Sequence, residues 1–205
     1  MPVKILLVAL ILLSLEARGQ DELLIKVHFL HGSRPAPGYK DVERKWFGGI
    51  LGGHAGIEMD NGQVFNFMKR GSVHLFASRR KKNSRFTLHT ADDFWGIFRY
   101  PANTVKKTTV VIPVTTRQKQ LLDSIAAAYL AETPYDYAFF GMRCGAATYE
   151  ILAKLDIVKA YSYRRTFMKI FYPRKLRRRL LKQAEVRDWE IIRAEGSTAR
   201  VWERD

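Results

Sequence analysis

Residues 54 to 67 read HAGIEMDNGQVFNF, and this stretch predicts a β-hairpin. Two β-rich runs, 55–59 and 63–68, flank Asp-Asn-Gly at 60–62. Asn-Gly is a strong hairpin signal because both residues tolerate positive φ. Alternation places His54, Gly56 and Glu58 on one face of the first strand. Counting outward from the turn places Asn66, on the return strand, across from the region of His54.

The remainder of the chain has the pattern of strands followed by helices. After residue 114 the apolar period becomes helical: one helix is capped by Thr115 or Thr116 and ends at Pro134. A second helix begins near Cys144, and Pro173 opens a third. This order predicts an α+β fold, with an antiparallel sheet packed against helices in a single domain over residues 20–205. Besides the hairpin, strands are predicted at 23–29, 72–77, 85–89, 95–100 and 108–114, and a loop at 33–45.

The first 19 residues have the pattern of a secretory signal peptide. Lys4 supplies a positive charge, residues 5–15 form an apolar run, and Ala17 and Gly19 are small residues before a cleavage site. An uncleaved N-terminal anchor is the alternative, although the run is short for roughly 30 Å of hydrocarbon. We therefore expect an exported protein, located in the periplasm, in the cell envelope or outside the cell.

Composition excludes several classes of protein. Apolar residues make up 47% of the chain, which is enough apolar side chains to build a core and excludes a disordered or fibrous protein. The single cysteine, Cys144, excludes a disulfide-stapled scaffold and a cysteine-rich metal site. The histidines lack metal-ligand spacing, so neither a metal nor another cofactor is predicted. The net charge of +15 predicts attraction to anionic partners.

Cys144 and His54 are the candidate catalytic residues. Cys144 lies where a helix is predicted to begin, and a helix N-terminus with Arg143 beside it favours the thiolate. A thiol nucleophile needs a base, and the base needs a group that orients it. His54 on one strand and Asn66 on the next supply these roles, with Glu58 as the alternative orienter. Taken alone, each residue also fits a structural role: a buried cysteine, a structural histidine and an ordinary strand asparagine.

The combined pattern resembles the circularly permuted papain-like hydrolases, which include the NlpC-type superfamily and the lecithin:retinol acyltransferase-like enzymes. In these proteins an H-x-G-[IV] strand, here residues 54–57, precedes the cysteine helix. The cysteine comes late, after a helix and a short aromatic loop, here residues 135–137. The resemblance covers roughly residues 23–155. It implies a papain-like fold in which Cys144 is the nucleophile, His54 the general base and Asn66 the orienter.

The same resemblance implies hydrolysis of an amide through a thioacyl-enzyme, with the backbone N–H of Cys144 in the oxyanion hole. The substrate would be a peptidoglycan peptide, another peptide-like amide, or a lipid acyl group. The acyltransferase-like enzymes usually carry Asn-Cys-Glu-His at the nucleophile, whereas residues 143–146 here read Arg-Cys-Gly-Ala. This difference argues against phospholipid or retinyl-ester chemistry.

Two basic regions suggest a second kind of function. Residues 61–91 and 157–184 are rich in lysine and arginine and contain no acid. The second region is predicted to form a basic C-terminal helical extension from about residue 157, whose charges dock substrate, an anionic membrane or a wall polymer. Export makes nucleic acid a poorer candidate. The alternatives are a non-enzymatic envelope protein that binds anionic surfaces, or a merely solvated helix face. The candidate residues for this docking lie around the first turns of the helix after Pro173, and several of them are predicted to point outward together: Arg174, Lys175, Arg177, Arg178 and Arg179.

Overall fold

The computed structural model describes residues 23–46, 49–80 and 82–204. The predicted signal peptide, residues 1–19, lies outside the described residues. None of the described helices is long and apolar enough to cross a membrane. The helices, numbered in chain order, are α1 (Ala91–Trp95), α2 (Thr116–Ala131), α3 (Cys144–Lys154), α4 (Tyr163–Lys169) and α5 (Pro173–Arg187). The strands are β1 (Leu23–Leu30), β2 (Ser33–Pro35), β3 (His54–Glu58), β4 (Val64–Lys69), β5 (His74–Phe76), β6 (Ser84–His89), β7 (Lys107–Val114), β8 (Ala138–Phe140), β9 (Ile191–Ala194) and β10 (Arg200–Trp202).

Six strands form one antiparallel sheet in the order β6-β4-β3-β1-β7-β9. The predicted hairpin is β3–β4, in which Gly56 pairs with Asn66. Its turn is formed as expected: Gly62 has a φ of 74°, and the Asn61 side chain accepts a hydrogen bond from the backbone N–H of Gln63 at 3.0 Å. Two small sheets flank the main one, antiparallel β2–β10 and parallel β5–β8. The α+β prediction is confirmed.

Helices α2 to α5 pack against one face of the sheet, and α1 packs against the other face through Phe94 and Trp95. Apolar side chains of the strands, such as Ile57 and Phe67, pack on the first of these faces in one cluster with Leu152 of α3 and Leu180 of α5. A smaller cluster around Phe94 lies next to β4 and the end of β1. Helix α2 begins with a capping box in which the Thr115 side chain accepts from the Gln118 backbone N–H. The predicted cap and the predicted starts at Cys144 and Pro173 are therefore confirmed.

The predicted strand at 95–100 is wrong. Residues 91–95 form α1, because the Thr90 side chain caps the helix by accepting a hydrogen bond from the Asp93 backbone N–H at 3.1 Å. The chain after α1 continues in turns. The predicted loop at 33–45 contains the short strand β2. The region after residue 157 is helical in α4 and α5, but it also supplies β9 to the main sheet and β10 to β2, and neither strand was predicted.

Candidate active site

Cys144 is the first residue of α3 and is 3% exposed. The polar groups around its thiol are His54, the backbone N–H of Gly145 and the hydroxyl of Tyr137, and hydrogen bonding with them bears on its pKa. Burial by itself raises the pKa of this thiol, but the charge of His54 and these hydrogen bonds outweigh burial, and the pKa is lowered from its ordinary value. The start of the helix adds unpaired N–H groups that favour a thiolate.

His54 is the first residue of β3, so its ring lies at the end of the strand, where the N-terminus of α3 approaches. The side chain is buried, and its ring packs 5.4 Å from the ring of Phe94. Burial by itself lowers the pKa of the imidazole. The negative charge of Cys144 and hydrogen bonds with Cys144 and Asn66 outweigh that effect, and the pKa of His54 is raised. The opposite shifts at Cys144 and His54 favour a thiolate–imidazolium pair.

Asn66 fixes the orientation of the His54 ring. Its Oδ1 lies 3.0 Å from Nε2 of His54. Its Nδ2 donates to the backbone carbonyls of Val64 at 2.9 Å and Thr87 at 3.3 Å. Because those carbonyls can only accept, the amide cannot be reversed, and Oδ1 must accept from Nε2–H of His54. The tautomer is thereby set, and Nδ1 is the ring nitrogen left for the thiol.

Gly56 provides the space that this arrangement needs. A Cβ at Gly56 would lie 2.6 Å from Cγ1 of Val64, 2.9 Å from the Phe94 ring and 3.0 Å from Cβ of Asn66. Any side chain there would push the Asn66 side chain or the Phe94 ring, both of which touch His54. The glycine of the H-x-G-I pattern is therefore a steric requirement of the site.

Tyr137 is a site residue that was not predicted from the sequence. Its hydroxyl lies in the cleft beside Cys144, where both the thiol and the backbone N–H of Cys144 act on its pKa. Burial raises the pKa of Tyr137 well above its ordinary value, and the neighbouring thiolate charge raises it further, so the hydroxyl keeps its proton. The aromatic run 135–137 was noticed in the sequence, but only a fold can show that the third residue points at the sulfur.

The Tyr137 side chain is held from two directions. Its ring stacks on Phe67 of β4, with centroids 5.3 Å apart and planes 22° apart. The preceding residue, Asp136, is buried and accepts hydrogen bonds from the backbone N–H of Ser78 at 2.9 Å and of Asn83 at 2.6 Å. His74 of β5 pairs with the same carboxylate. Asp136 thus ties the loop between β5 and β6 to the segment that carries Tyr137.

Glu58, the alternative orienter, has other partners. Its carboxylate binds Nζ of Lys26 at 2.7 Å and Nε2 of His28 at 2.8 Å. The β1–β3 register pairs Lys26 with Glu58, whereas His54 is paired with Leu30 at the far end of the strand. Alternation correctly places Glu58 on the face of His54, but the residues are separated by the length of β3. The orienter that contacts His54 is Asn66.

The predicted outward cluster on α5 is only partly exposed. Lys175 and Arg178 are exposed, and Arg174 is half-buried. Arg179 is also half-buried, and its Nη1 donates to the hydroxyl of Tyr161 at 3.3 Å. The prediction is wrong for Arg177.

Arg177 is 0% exposed, and its Nη1 lies 2.9 Å from Oε2 of Glu203, which is 2% exposed. Arg177 shares a helix face with Leu180, Leu181 and Ala184, which are buried. The acid that permits its burial lies far away in sequence, after β10, so the pattern of α5 alone could not reveal it.

Cys144 and His54 open into a cleft of about 250 Å³. Tyr137 and Arg143 line the same cleft, together with the glycines Gly52 and Gly53. Most of the remaining lining is apolar: Leu51, Phe67, Met68, Ile97, Phe98 and Phe171. Gly145 lets the start of α5 pack closely against α3, because a Cβ there would lie 2.8 Å from Cα of Pro173.

Comparisons of this chain with protein-family models, with curated proteins and with solved structures gave no significant match. Among residues 23–46, 49–80 and 82–204, no group of three or more histidine, cysteine or acidic side chains is arranged to hold a metal ion.

Proposed function

We propose that this protein is an exported cysteine hydrolase of the amidase or peptidase type. One observation carries the proposal: His54 stands between Cys144, whose pKa it lowers, and Asn66, whose Oδ1 lies 3.0 Å from Nε2 of His54. This is the order of nucleophile, base and orienter that thiol hydrolases require. A buried cysteine with a purely structural role needs neither a base nor a group that orients the base.

The geometry supports a two-step reaction. The thiolate of Cys144 attacks the carbonyl carbon of an amide, and the negative charge moves to the carbonyl oxygen. That oxygen would replace the Tyr137 hydroxyl as the acceptor of the Cys144 backbone N–H, and the hydroxyl, turning from the sulfur, would be the second donor. The imidazolium of His54 gives its proton to the leaving amine as the C–N bond breaks, which leaves a thioacyl-enzyme. Water, deprotonated by His54, then attacks the thioester and releases the acid and the thiol.

The architecture supports a permuted papain-like arrangement. An antiparallel sheet supplies the base and the orienter from adjacent strands, β3 and β4, and a later helix begins at the nucleophile. We propose that the substrate is a peptide-like amide of the cell envelope. The apolar cleft lining also accommodates an acyl chain, but the motif at 143–146 differs from that of the acyltransferase-like enzymes.

A second candidate function is binding to an anionic membrane or wall polymer without catalysis. The observation that favours it is an exposed aromatic surface on the β5–β8 sheet, formed by Phe76, Phe139 and Phe140, beside the exposed Leu75. Phe139 contacts Phe171, which is two residues before the basic helix α5. Aromatic and basic groups together suit the interface of an anionic bilayer.

The two functions differ in the reactivity of Cys144. The native protein is treated with iodoacetamide near pH 6, where an ordinary thiol with a pKa of about 8.5 reacts slowly. Mass spectrometry should show alkylation of Cys144 in the wild type and strong slowing in His54→Gln. Hydrolysis of peptidoglycan stem peptides should be lost in Cys144→Ala. If Cys144 is alkylated only after denaturation, the hydrolase proposal is wrong.

A further inference from the structure

Arg143 is held rigidly at the edge of the cleft. Its guanidinium carbon lies 3.4 Å from the centre of the Phe171 ring, which is close stacking. The rings of Phe139 and Tyr172 lie 5.7 and 5.5 Å from the same atom. Three aromatic side chains therefore fix the plane of the guanidinium, and little conformational entropy remains to be lost when it binds a ligand.

One edge of this guanidinium is buried and unused. Nε and Nη2 of Arg143 are inaccessible to solvent and have no hydrogen-bond partner among the residues that the structure describes. These two nitrogens point their N–H bonds in the same direction and form the side-on fork that matches two oxygens of one carboxylate or phosphate group. A buried donor without an acceptor costs free energy, more so when the group is charged.

Another buried arginine of the chain does not share this property. Arg200 donates from Nε to the Ser33 hydroxyl at 2.8 Å, and its Nη1 binds the Glu43 carboxylate and the Tyr100 hydroxyl. The fold thus can satisfy a buried guanidinium where its role is structural. At Arg143 the described residues provide aromatic rings on which the guanidinium stacks, but no hydrogen-bond acceptor for Nε and Nη2.

Arg143 lines the catalytic cleft, and its unpaired Nε and Nη2 are covered in this structure, so a ligand must displace the side chains over them to reach the fork. Arg143 immediately precedes the nucleophile and lines the same cleft as Cys144 and His54. It feels the negative charge of Cys144. An anion held by Arg143 would therefore sit within the cleft, close to the attacking sulfur, with apolar side chains such as Ile97 and Phe98 available to the remainder of the substrate.

We propose that Arg143 is an anion-binding subsite that selects substrates carrying a carboxylate or phosphate group near the scissile carbonyl. As a statement about substrates, this rests on the hydrolase function proposed above. Once the ligand has displaced the side chains that cover Nε and Nη2, its bond to the guanidinium is charge-assisted and bidentate, and it forms in a largely apolar surrounding, where such bonds are strong. Arg143 is a specificity-determining residue and takes no proton in the reaction.

A pair of alkylating reagents tests the subsite without a substrate. Iodoacetate and iodoacetamide both form an S–C bond with the thiolate and release iodide, but only iodoacetate carries a carboxylate. We measure the ratio of the two alkylation rates at Cys144. Arg143→Gln should lower the iodoacetate-to-iodoacetamide ratio about tenfold or more, since a hydrogen bond to a charged group is worth about 1.5–3 kcal/mol. Taking the ratio cancels any change in thiolate content between variants. It also corrects for the attraction of the His54 charge for iodoacetate.

Two further variants sharpen the result. Arg143→Lys keeps the positive charge but loses the fork, and it should give an intermediate ratio. Arg117→Gln removes an exposed arginine at the start of α2 and should leave the ratio unchanged. The circular dichroism of each variant checks the fold. An equal ratio in Arg143→Gln and the wild type overturns the subsite.

Competition separates the two kinds of anion. Succinate should slow alkylation of the wild type by iodoacetamide if a carboxylate is the ligand, and inorganic phosphate should do so if a phosphate is. Protection by neither anion contradicts the proposal. The hydrolase function is tested separately with succinyl and succinamyl anilides, which differ only in a charge. If neither anilide nor peptidoglycan is hydrolysed while the alkylation ratio still depends on Arg143, the hydrolase function fails and the anion site stands.

Discussion

Replacing Asn66 by alanine should move the reactivity of Cys144 toward higher pH. The 3.0 Å hydrogen bond between Oδ1 of Asn66 and Nε2 of His54 is buried, and Asn66 is 1% exposed. It stabilises the imidazolium, and its loss lowers the pKa of His54. The thiolate then loses part of its partner's charge, which raises the pKa of Cys144. A hydrogen bond to a charged group is worth about 1.5–3 kcal/mol, so the thiolate population on the acid side should fall about ten- to a hundredfold.

The assay is the rate of alkylation of Cys144 by iodoacetamide as a function of pH, read by mass spectrometry. In the wild type the rate should rise as pH increases through the lowered pKa of the thiol. In Asn66→Ala the same rise should occur at higher pH. The matched control is Glu58→Gln, because Glu58 lies on the same face of β3 but binds Lys26 and His28. Coincident profiles for Asn66→Ala and the wild type would refute the orienting role, as would a shift in Glu58→Gln alone.

Three other predictions follow from contacts described above. Tyr137→Phe keeps the stack on Phe67 but removes the hydroxyl, and it should lower kcat for an amide substrate by about a hundredfold or more while Cys144 still reacts with iodoacetamide. Arg177→Gln leaves the buried Glu203 carboxylate without its closest cation and should lower the free energy of unfolding by about 3–5 kcal/mol in urea titrations, whereas Arg117→Gln should change it by less than about 0.5 kcal/mol. The double variant Lys175→Gln/Arg178→Gln should bind anionic vesicles more weakly than the wild type, and added salt should remove the difference, because screening acts over about 8 Å at physiological ionic strength.

Features encoded by neighbouring residues were predicted well. The β3–β4 hairpin follows from Asn61-Gly62 and the alternation around it, and α3 follows from the helical period after Cys144. Those two elements place His54, Asn66 and Cys144, so the series of contacts at the site was within reach of sequence reasoning. The failure at 95–100 is also local. Its aromatic residues have high β propensity, but the cap formed by Thr90 starts a helix before that run.

Features that depend on distant contacts were not predicted. The burial of Arg177 requires Glu203, and the exclusion of Glu58 from the site requires His28, which reaches it across the β1–β3 register. Charge patterns within one element cannot reveal either partner. Arg143 shows the same limit in another form. Its position next to Cys144 suggested that it supports the thiolate. The stack on Phe171 and the unpaired Nε and Nη2 become visible only when the fold brings α3 and the segment before α5 together.

The position of Tyr137 explains how one site can both stabilise a thiolate and let it react. Hydrogen bonds to sulfur make the thiolate available at lower pH, but they also reduce its nucleophilicity. In the proposed reaction the negative charge leaves the sulfur during attack and moves to the carbonyl oxygen. The Tyr137 hydroxyl is beside both the sulfur and the backbone N–H of Cys144, so in this proposal it turns from the old charge to the new one. A donor that follows the charge stabilises the transition state more than the ground state, and this difference is what accelerates a reaction.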